Sequence, residues 1–166
     1  MDWATFLRIA HILGTALGVG GTTFLEIYVL KHINTRNVDM FENDAVKISI
    51  SLIRYGLIIL AFSGLGLLIS WRLNMRGPEV FFSARFLAKM VVILILLLAA
   101  LATNLKFVNL KYASAVSTAS WYAAMILGMW RRVPLSFFTI MAGYVAFIVL
   151  TYLILEYFRN KSLKIK

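Results

Sequence analysis

The chain has 166 residues, of which 61% are hydrophobic and 14% are charged, with a mean hydropathy of +0.85 and a formal net charge of +10. Soluble domains are about half apolar and about a quarter charged, so this composition argues against a soluble enzyme, a disordered tail and a nucleic-acid-binding module. The absence of cysteine removes disulfides, thiolate metal ligands and c-type haem attachment. The composition therefore predicts an all-α integral membrane protein.

Five apolar segments follow one another along the chain. A helix that spans a bilayer needs about 20 apolar residues at a rise of about 1.5 Å each. The fourth segment is short and rich in Ser and Ala, so a re-entrant or interfacial helix is the alternative there. No long linker or repeat separates the segments, which indicates a single multi-pass domain. The predicted transmembrane helices are residues 3–30, 46–70, 80–105, 113–130 and 134–158.

Polar and helix-breaking residues lie between the segments. Asn and Asp residues mark the first connection, residues 74–78 the second and residues 131–134 the fourth. Pro134 is expected in the first turn of the last helix, where its missing N–H costs no hydrogen bond. Residues 1–3 lack the basic region of a signal peptide and the apolar run behind them is too long for one, so we expect the first helix to be retained.

The basic residues that flank the spans predict an orientation in the cell (inner) membrane, because cytoplasmic loops carry an excess of Lys and Arg. Five spans place the C-terminus in the cytoplasm and the N-terminus outside; if the fourth segment does not cross, the termini share a side. One side carries Lys31, Arg36, Lys47, Lys106, Lys111, Arg159, Lys161, Lys164 and Lys166, and the other carries Arg72, Arg76, Arg131 and Arg132.

Four cations lie within the apolar segments, whereas Glu26 is the one acid well inside a segment. Charges at such depth are expensive and normally face the bundle, a water cavity or a partner. The excess of cations predicts an anion from elsewhere: porphyrin propionates, lipid phosphates or an anionic substrate. Snorkelling to the interface is the alternative for Arg8 and Arg85. The four cations are Arg8, Arg54, Arg85 and Lys89.

His11 is the first candidate site residue. It lies eight residues past Trp3, about 12 Å into the membrane, on a nearly bare helix face that includes Gly14 and Gly18. Such a small-xxx-small pair usually means the close approach of another helix. The same groove can admit a flat ring with His11 as an axial iron ligand, although a hydrogen-bonded structural role is the commoner one for an isolated membrane histidine. His32, about 31 Å further along a continuous helix, is expected at the interface.

Depth along the helices suggests further groupings. Lys89 lies nine residues past Val80, about 13 Å into the membrane and level with His11, and Arg85 is one turn away on the same face. We therefore expect a pocket lined by His11, Arg85 and Lys89, in which Lys89 acts as a base, a ligand or a proton carrier.

At the opposite end, Glu26, Asn104 and Arg54 are expected to meet as a structural ion pair with an amide beside it. The fourth segment carries a stripe of small polar residues with Trp121, for which ordinary helix packing is favoured over a cavity lining. The stripe comprises Ser114, Ser117, Thr118, Trp121, Met125 and Gly128.

Three segments resemble the helices of the CopD-like and HemJ-like small membrane proteins: LRIAHILGTALGVGG at residues 7–21, LIILAFSGLGLLIS at 57–70 and ARFLAKMVVILILL at 84–97. SWYAAMILG at 120–128 is similar to a motif of small bacterial membrane proteins of this group. Resemblance to the HemJ-type protoporphyrinogen oxidases implies a four-helix-bundle core that holds b-type haem, with a first-helix His and a third-helix Lys important. These map onto His11 and Lys89.

The chain departs from both patterns of this group. A further third-helix His expected in several relatives is absent near Asn104, and the Met, His or Cys clusters of a copper site are not evident. With one deep histidine, a haem would be ligated by His11, with Lys89, Met90, water or nothing opposite.

Three function classes remain. The leading hypothesis is a haem- or porphyrin-binding protein of electron transfer or tetrapyrrole oxidation, with His11 as metal ligand, Arg85 and Lys89 receiving propionates or assisting proton transfer, and Gly14 and Gly18 lining the ring. The second is a non-catalytic scaffold or accessory subunit that associates, as a homo-oligomer or with a partner subunit, through its Gly-rich first helix. The third is a small oligomeric ion or copper transporter.

Overall fold

A computed structural model describes residues 2–32, 40–73, 83–105, 110–130 and 134–164. The described part is almost entirely helical, and the prediction of an all-α membrane protein is confirmed. Four of the helices, α1, α2, α3 and α5, are long and apolar enough to cross a bilayer. The helices are α1 (Trp3–His32), α2 (Met40–Leu73), α3 (Ala84–Asn104), α4 (Leu110–Met129) and α5 (Phe137–Lys164). That α4 also crosses stays a prediction.

Two helix starts differ from the predicted ones because serine residues cap the helices. Ser83 is extended and its hydroxyl accepts a hydrogen bond from the backbone N–H of Phe86, so α3 begins at Ala84 and not at residue 80. The Ser136 hydroxyl accepts from the N–H of Thr139 at 3.3 Å, so α5 begins at Phe137. Pro134 therefore precedes the cap, and its predicted place in the first helical turn is wrong.

The contacts divide the chain into two compact units. Unit 1 consists of Met1–Leu25 and Val38–Glu79, and unit 2 consists of Glu26–Asn37 and Val80–Lys166. Unit 1 thus contains most of α1 and all described residues of α2, whereas unit 2 contains the last turns of α1 together with α3, α4 and α5.

Glycine residues bring α1 and α2 together in unit 1. A Cβ atom on Gly14 would lie 2.9 Å from the carbonyl oxygen of Gly56, and one on Gly56 would lie 2.8 Å from the backbone nitrogen of Gly18. Further along, Leu7 contacts Gly66 and Gly21 contacts Ile53. As residue numbers increase along α1, the numbers of their contacts on α2 decrease. The two helices are therefore antiparallel, with their backbones in close contact.

Unit 2 is organised around α4. Its core combines small and branched side chains from three helices: Ala88 and Val92 of α3, Ala123, Ala124 and Leu127 of α4, and Tyr144 of α5. Trp121 of α4 is completely buried, whereas α5 exposes large apolar side chains such as Phe138. The one described helix that is not among the candidate membrane spans therefore lies inside its unit, where small residues allow close packing, and its neighbours present apolar faces suited to lipid.

Candidate functional site

His11 contacts α2 through its imidazole ring. Its Nδ1 atom lies 3.0 Å from the hydroxyl oxygen of Ser63, and a Cβ atom on Gly64 would lie 3.5 Å from the ring carbon Cε1. His11 is half-buried and Ser63 is buried. The small residues of the Ser63-Gly64 pair let the ring lie against the α2 backbone, so the histidine is held by unit 1 itself.

The hydrogen bonds of Ser63 bear on which ring nitrogen of His11 carries the proton. The Ser63 hydroxyl has one hydrogen and lies 2.6 Å from the carbonyl oxygen of Ile59 and 3.0 Å from Nδ1 of His11. When that hydrogen is donated to the carbonyl, Ser63 accepts from His11, the proton is on Nδ1 and the lone pair of the neutral ring is on Nε2. This is the tautomer of a metal-ligating histidine whose other nitrogen donates to the protein.

Gly14 and Gly18, predicted to line a ring beside His11, lie in the contact between α1 and α2. The close approach of a helix, the usual meaning of this spacing, is therefore observed, and the helix belongs to the same chain. Their assignment to a cofactor stays a prediction, and the backbone of α2 occupies the space that a Gly14 side chain would take.

Arg85 has a partner that the sequence analysis did not anticipate. Its Nε donates to the carbonyl oxygen of Leu127 at 2.8 Å, and its Nη2 donates to that of Gly128 at 3.0 Å. Since α4 ends at Met129, these carbonyls belong to the last turn, which has no intrahelical donors. Arg85 thus caps the C-terminus of α4 and places a positive charge at the negative end of the helix dipole.

Lys89 lies beside the same helix end, because a Cβ atom on Gly128 would be 3.9 Å from its Nζ. The late start of α3 changes its depth: Lys89 is five residues past Ala84, about 7.5 Å along the helix and not 13 Å. The structure therefore brings Arg85 and Lys89 together in unit 2. His11 belongs to unit 1, so the pocket that combines all three residues stays a prediction.

A buried polar cluster in unit 2 surrounds Glu26. The Glu26 carboxylate lies 3.5 Å from Nη2 of Arg159 and accepts a hydrogen bond from the Thr118 hydroxyl at 3.4 Å. The same Nη2 donates to Ser114 at 2.8 Å. Glu26 and Arg159 are only 7% and 5% exposed, so the two charges compensate each other out of contact with the surroundings.

Sequence reasoning placed Arg159 among the flanking charges because the last span was expected to end at residue 158. Helix α5 instead continues to Lys164, and the Arg159 side chain is buried against Glu26 and Ser114. The sequence feature that could have indicated this site is the pair Ser114 and Thr118, which lie four residues apart on one face of α4. Both hydroxyls contact the ion pair. The expected partner Arg54 has an exposed side chain in unit 1, and its pairing with Glu26 and Asn104 stays a prediction; the side chains of Asn104 and His32 lie outside the described residues.

Three further polar side chains are Arg8 in unit 1 and Ser120 and Tyr144 in unit 2. Arg8 is exposed, as snorkelling requires. In the core of unit 2 the hydroxyls of Ser120 and Tyr144 lie 2.6 Å apart and link α4 to α5. Among the residues that the structure describes, no three His, Cys, Asp or Glu side chains gather as a metal site.

Compared with known proteins, the chain matches no family model, and no curated protein or solved structure shows significant similarity to it.

Proposed function

We propose that the chain is a multi-pass membrane protein that binds a b-type haem or a related porphyrin through His11. The supporting observation is the chain of hydrogen bonds from His11 Nδ1 to Ser63 and on to the carbonyl of Ile59. It holds the imidazole in one orientation, and it is compatible with the tautomer in which Nδ1 donates to the protein, as in histidines that ligate iron.

The residues around His11 are compatible with a bound haem or porphyrin. A porphyrin supplies four nitrogen ligands of its own, so one protein imidazole is enough to hold its iron. Gly64 keeps the side of the ring that faces α2 free of bulk, and the carbonyl-bound Ser63 prevents the imidazole from turning. A haem bound there would supply one-electron redox chemistry; His11 would hold its iron, and Ser63 would fix the orientation of the imidazole.

The test is the absorption spectrum of the purified protein, expressed with an adequate haem supply. The wild type is expected to show a Soret band, and His11→Ala is expected to lose it and regain it on addition of imidazole. His32→Ala is the matched control and should keep the band. A colourless wild type, or a His11→Ala variant with an unchanged spectrum, would contradict the proposal.

Ser63→Ala separates a ligand role of His11 from a purely structural one. Without the Ser63 acceptor the imidazole loses its orientation, and loss of such a supporting hydrogen bond typically weakens metal binding by about 10-fold to 100-fold. We therefore expect Ser63→Ala to retain less haem and to shift the reduction potential of what remains. A structural role alone would change the unfolding temperature and leave the spectrum of the bound fraction unaltered.

A further inference from the structure

A groove lies between the last turns of α1 and α5, both in unit 2. Its volume is about 420 Å³, and it is lined by Ile27, Leu30 and Lys31 of α1 and by Phe158 and Ser162 of α5. The walls are mainly apolar, and Ile27 and Phe158 are 60% and 47% exposed. The groove therefore presents apolar surface to the bilayer, with an exposed lysine in its lining.

The polar residues of the groove lie nearer the ends of α1 and α5 than its apolar residues do. Lys31 and Ser162 are the final residues of two of the apolar spans, so they lie where the hydrocarbon region gives way to the head groups. Ile27 lies one turn deeper, about 6 Å along α1, and Phe158 is one turn inside Ser162. A phospholipid has its phosphate at head-group level and its acyl chains below it. The groove has the same order, with the Lys31 cation at head-group level and apolar walls below it.

The nearby charges favour an anionic lipid. The last turns of α5 add the exposed Lys161 and end at Lys164, whereas Glu26 is buried in its pair with Arg159. Clusters of basic residues at the cytoplasmic ends of membrane helices attract anionic head groups, at about 1 kcal/mol for each Lys or Arg near the surface.

We infer that this groove binds one anionic phospholipid, with its phosphate at Lys31 and one acyl chain along Ile27 and Phe158. A free phosphate ion would engage the lysine but would leave the apolar walls uncovered, and a zwitterionic lipid carries a choline cation that opposes Lys31. The inference depends on membrane insertion and is independent of haem binding at His11.

The experiment is native mass spectrometry of the full chain, released from micelles that contain phosphatidylglycerol and phosphatidylcholine with identical acyl chains in equal amounts. The wild type is expected to retain phosphatidylglycerol preferentially. Lys31→Gln is expected to lower this retention about five-fold, as loss of one surface cation predicts. Lys47→Gln is the matched control, because Lys47 is an exposed lysine in unit 1 that pairs with Asp44, and it should retain lipid like the wild type.

A second variant tests the apolar part of the groove without changing charge. Ile27→Trp fills the channel and is expected to lower phosphatidylglycerol retention even though Lys31 remains. Equal retention of the two lipids by the wild type, equal losses in Lys31→Gln and Lys47→Gln, or full displacement of lipid by inorganic phosphate would each overturn the inference. Circular dichroism and elution volume confirm that each variant is folded.

Discussion

The charged side chains of unit 2 obtain partners of two different kinds. Arg85 donates to the carbonyls at the C-terminus of α4, whereas Arg159 lies against the Glu26 carboxylate. Counting acidic residues therefore overstates the need for an external anion, because the end of a helix carries about half a negative charge of its own. The backbone carbonyls at the end of α4 therefore compensate part of the Arg85 charge.

Removal of the Glu26 charge is expected to destabilise the protein strongly. Glu26→Gln leaves Arg159 buried without its carboxylate, and breaking a buried ion pair from one side costs about 3–5 kcal/mol. The measurement is the free energy of unfolding in detergent. Asp44→Asn is the control, since it breaks an exposed pair with Lys47 and should cost less than about 1 kcal/mol.

The double variant Glu26→Leu with Arg159→Leu checks the origin of this effect. Replacing both charges removes the uncompensated one, so the double variant is expected to be more stable than either single variant. Equal destabilisation by Glu26→Gln and Asp44→Asn would show that the buried pair has no special role.

At the scale of single residues, the sequence predicts the position of a residue along its own helix, but it does not predict which residues of neighbouring helices meet. His11 lies eight residues past Trp3, where α1 begins as expected. Its contact with Ser63 was not foreseen, since a period of 3.6 residues describes one helix and says nothing of the register with its neighbour. Lys89 lies closer to the start of α3 than expected, because the cap at Ser83 falls inside an apolar run.

Among the helices, α1 and α2 are joined by backbone contact at glycines. A Cβ on Gly56 would lie 2.8 Å from the Gly14 carbonyl oxygen, which belongs to backbone and cannot move aside cheaply, whereas a Cβ on Gly20 would meet nothing within 4 Å. The two positions therefore distinguish packing within the chain from the general effect of adding a methyl group to a helix.

Gly56→Ala is expected to lower the free energy of unfolding by about 1–3 kcal/mol, the usual cost of overpacking. Gly20→Ala is expected to leave it unchanged or raise it by up to about 1 kcal/mol, because Ala favours a helix more than Gly does. Denaturant titration of both variants measures the difference. If Gly20→Ala is the damaging change and also alters the native mass, α1 associates with another protein through that face, as the scaffold hypothesis requires.

Helix α4 organises unit 2, yet it is the described helix that hydropathy does not identify as a membrane span. Lipid contact demands apolar side chains, and α1, α2, α3 and α5 show that signal clearly. Helix α4 packs against α3 and α5, so its Ala and Ser residues satisfy close packing and hydrogen bonding instead, as Ala119 and Ser120 do. The fold class and the number of helices were therefore predictable from composition, and the interior position of α4 was not.

For the whole molecule, charge and hydropathy support a multi-pass membrane protein, and the crossing of α4 decides whether the termini lie on opposite sides. The basic residues concentrate at the ends of the apolar helices, which predicts a cytoplasmic C-terminus and, with five spans, an external N-terminus. The 20 residues of α4 extend about 30 Å, enough to cross the hydrocarbon core with little tilt.

Cysteine labelling tests this topology directly, because the natural chain contains no cysteine. Leu105 and Leu135 lie before and after α4, both are exposed, and neither substitution to Cys changes the charge that sets orientation. With an impermeant maleimide applied to intact cells, Leu135→Cys is expected to react and Leu105→Cys only after permeabilisation. Asp2→Cys serves as the external reference. Reaction of both leucine positions from the same side would show that α4 does not cross, and would place the two termini on one face of the membrane.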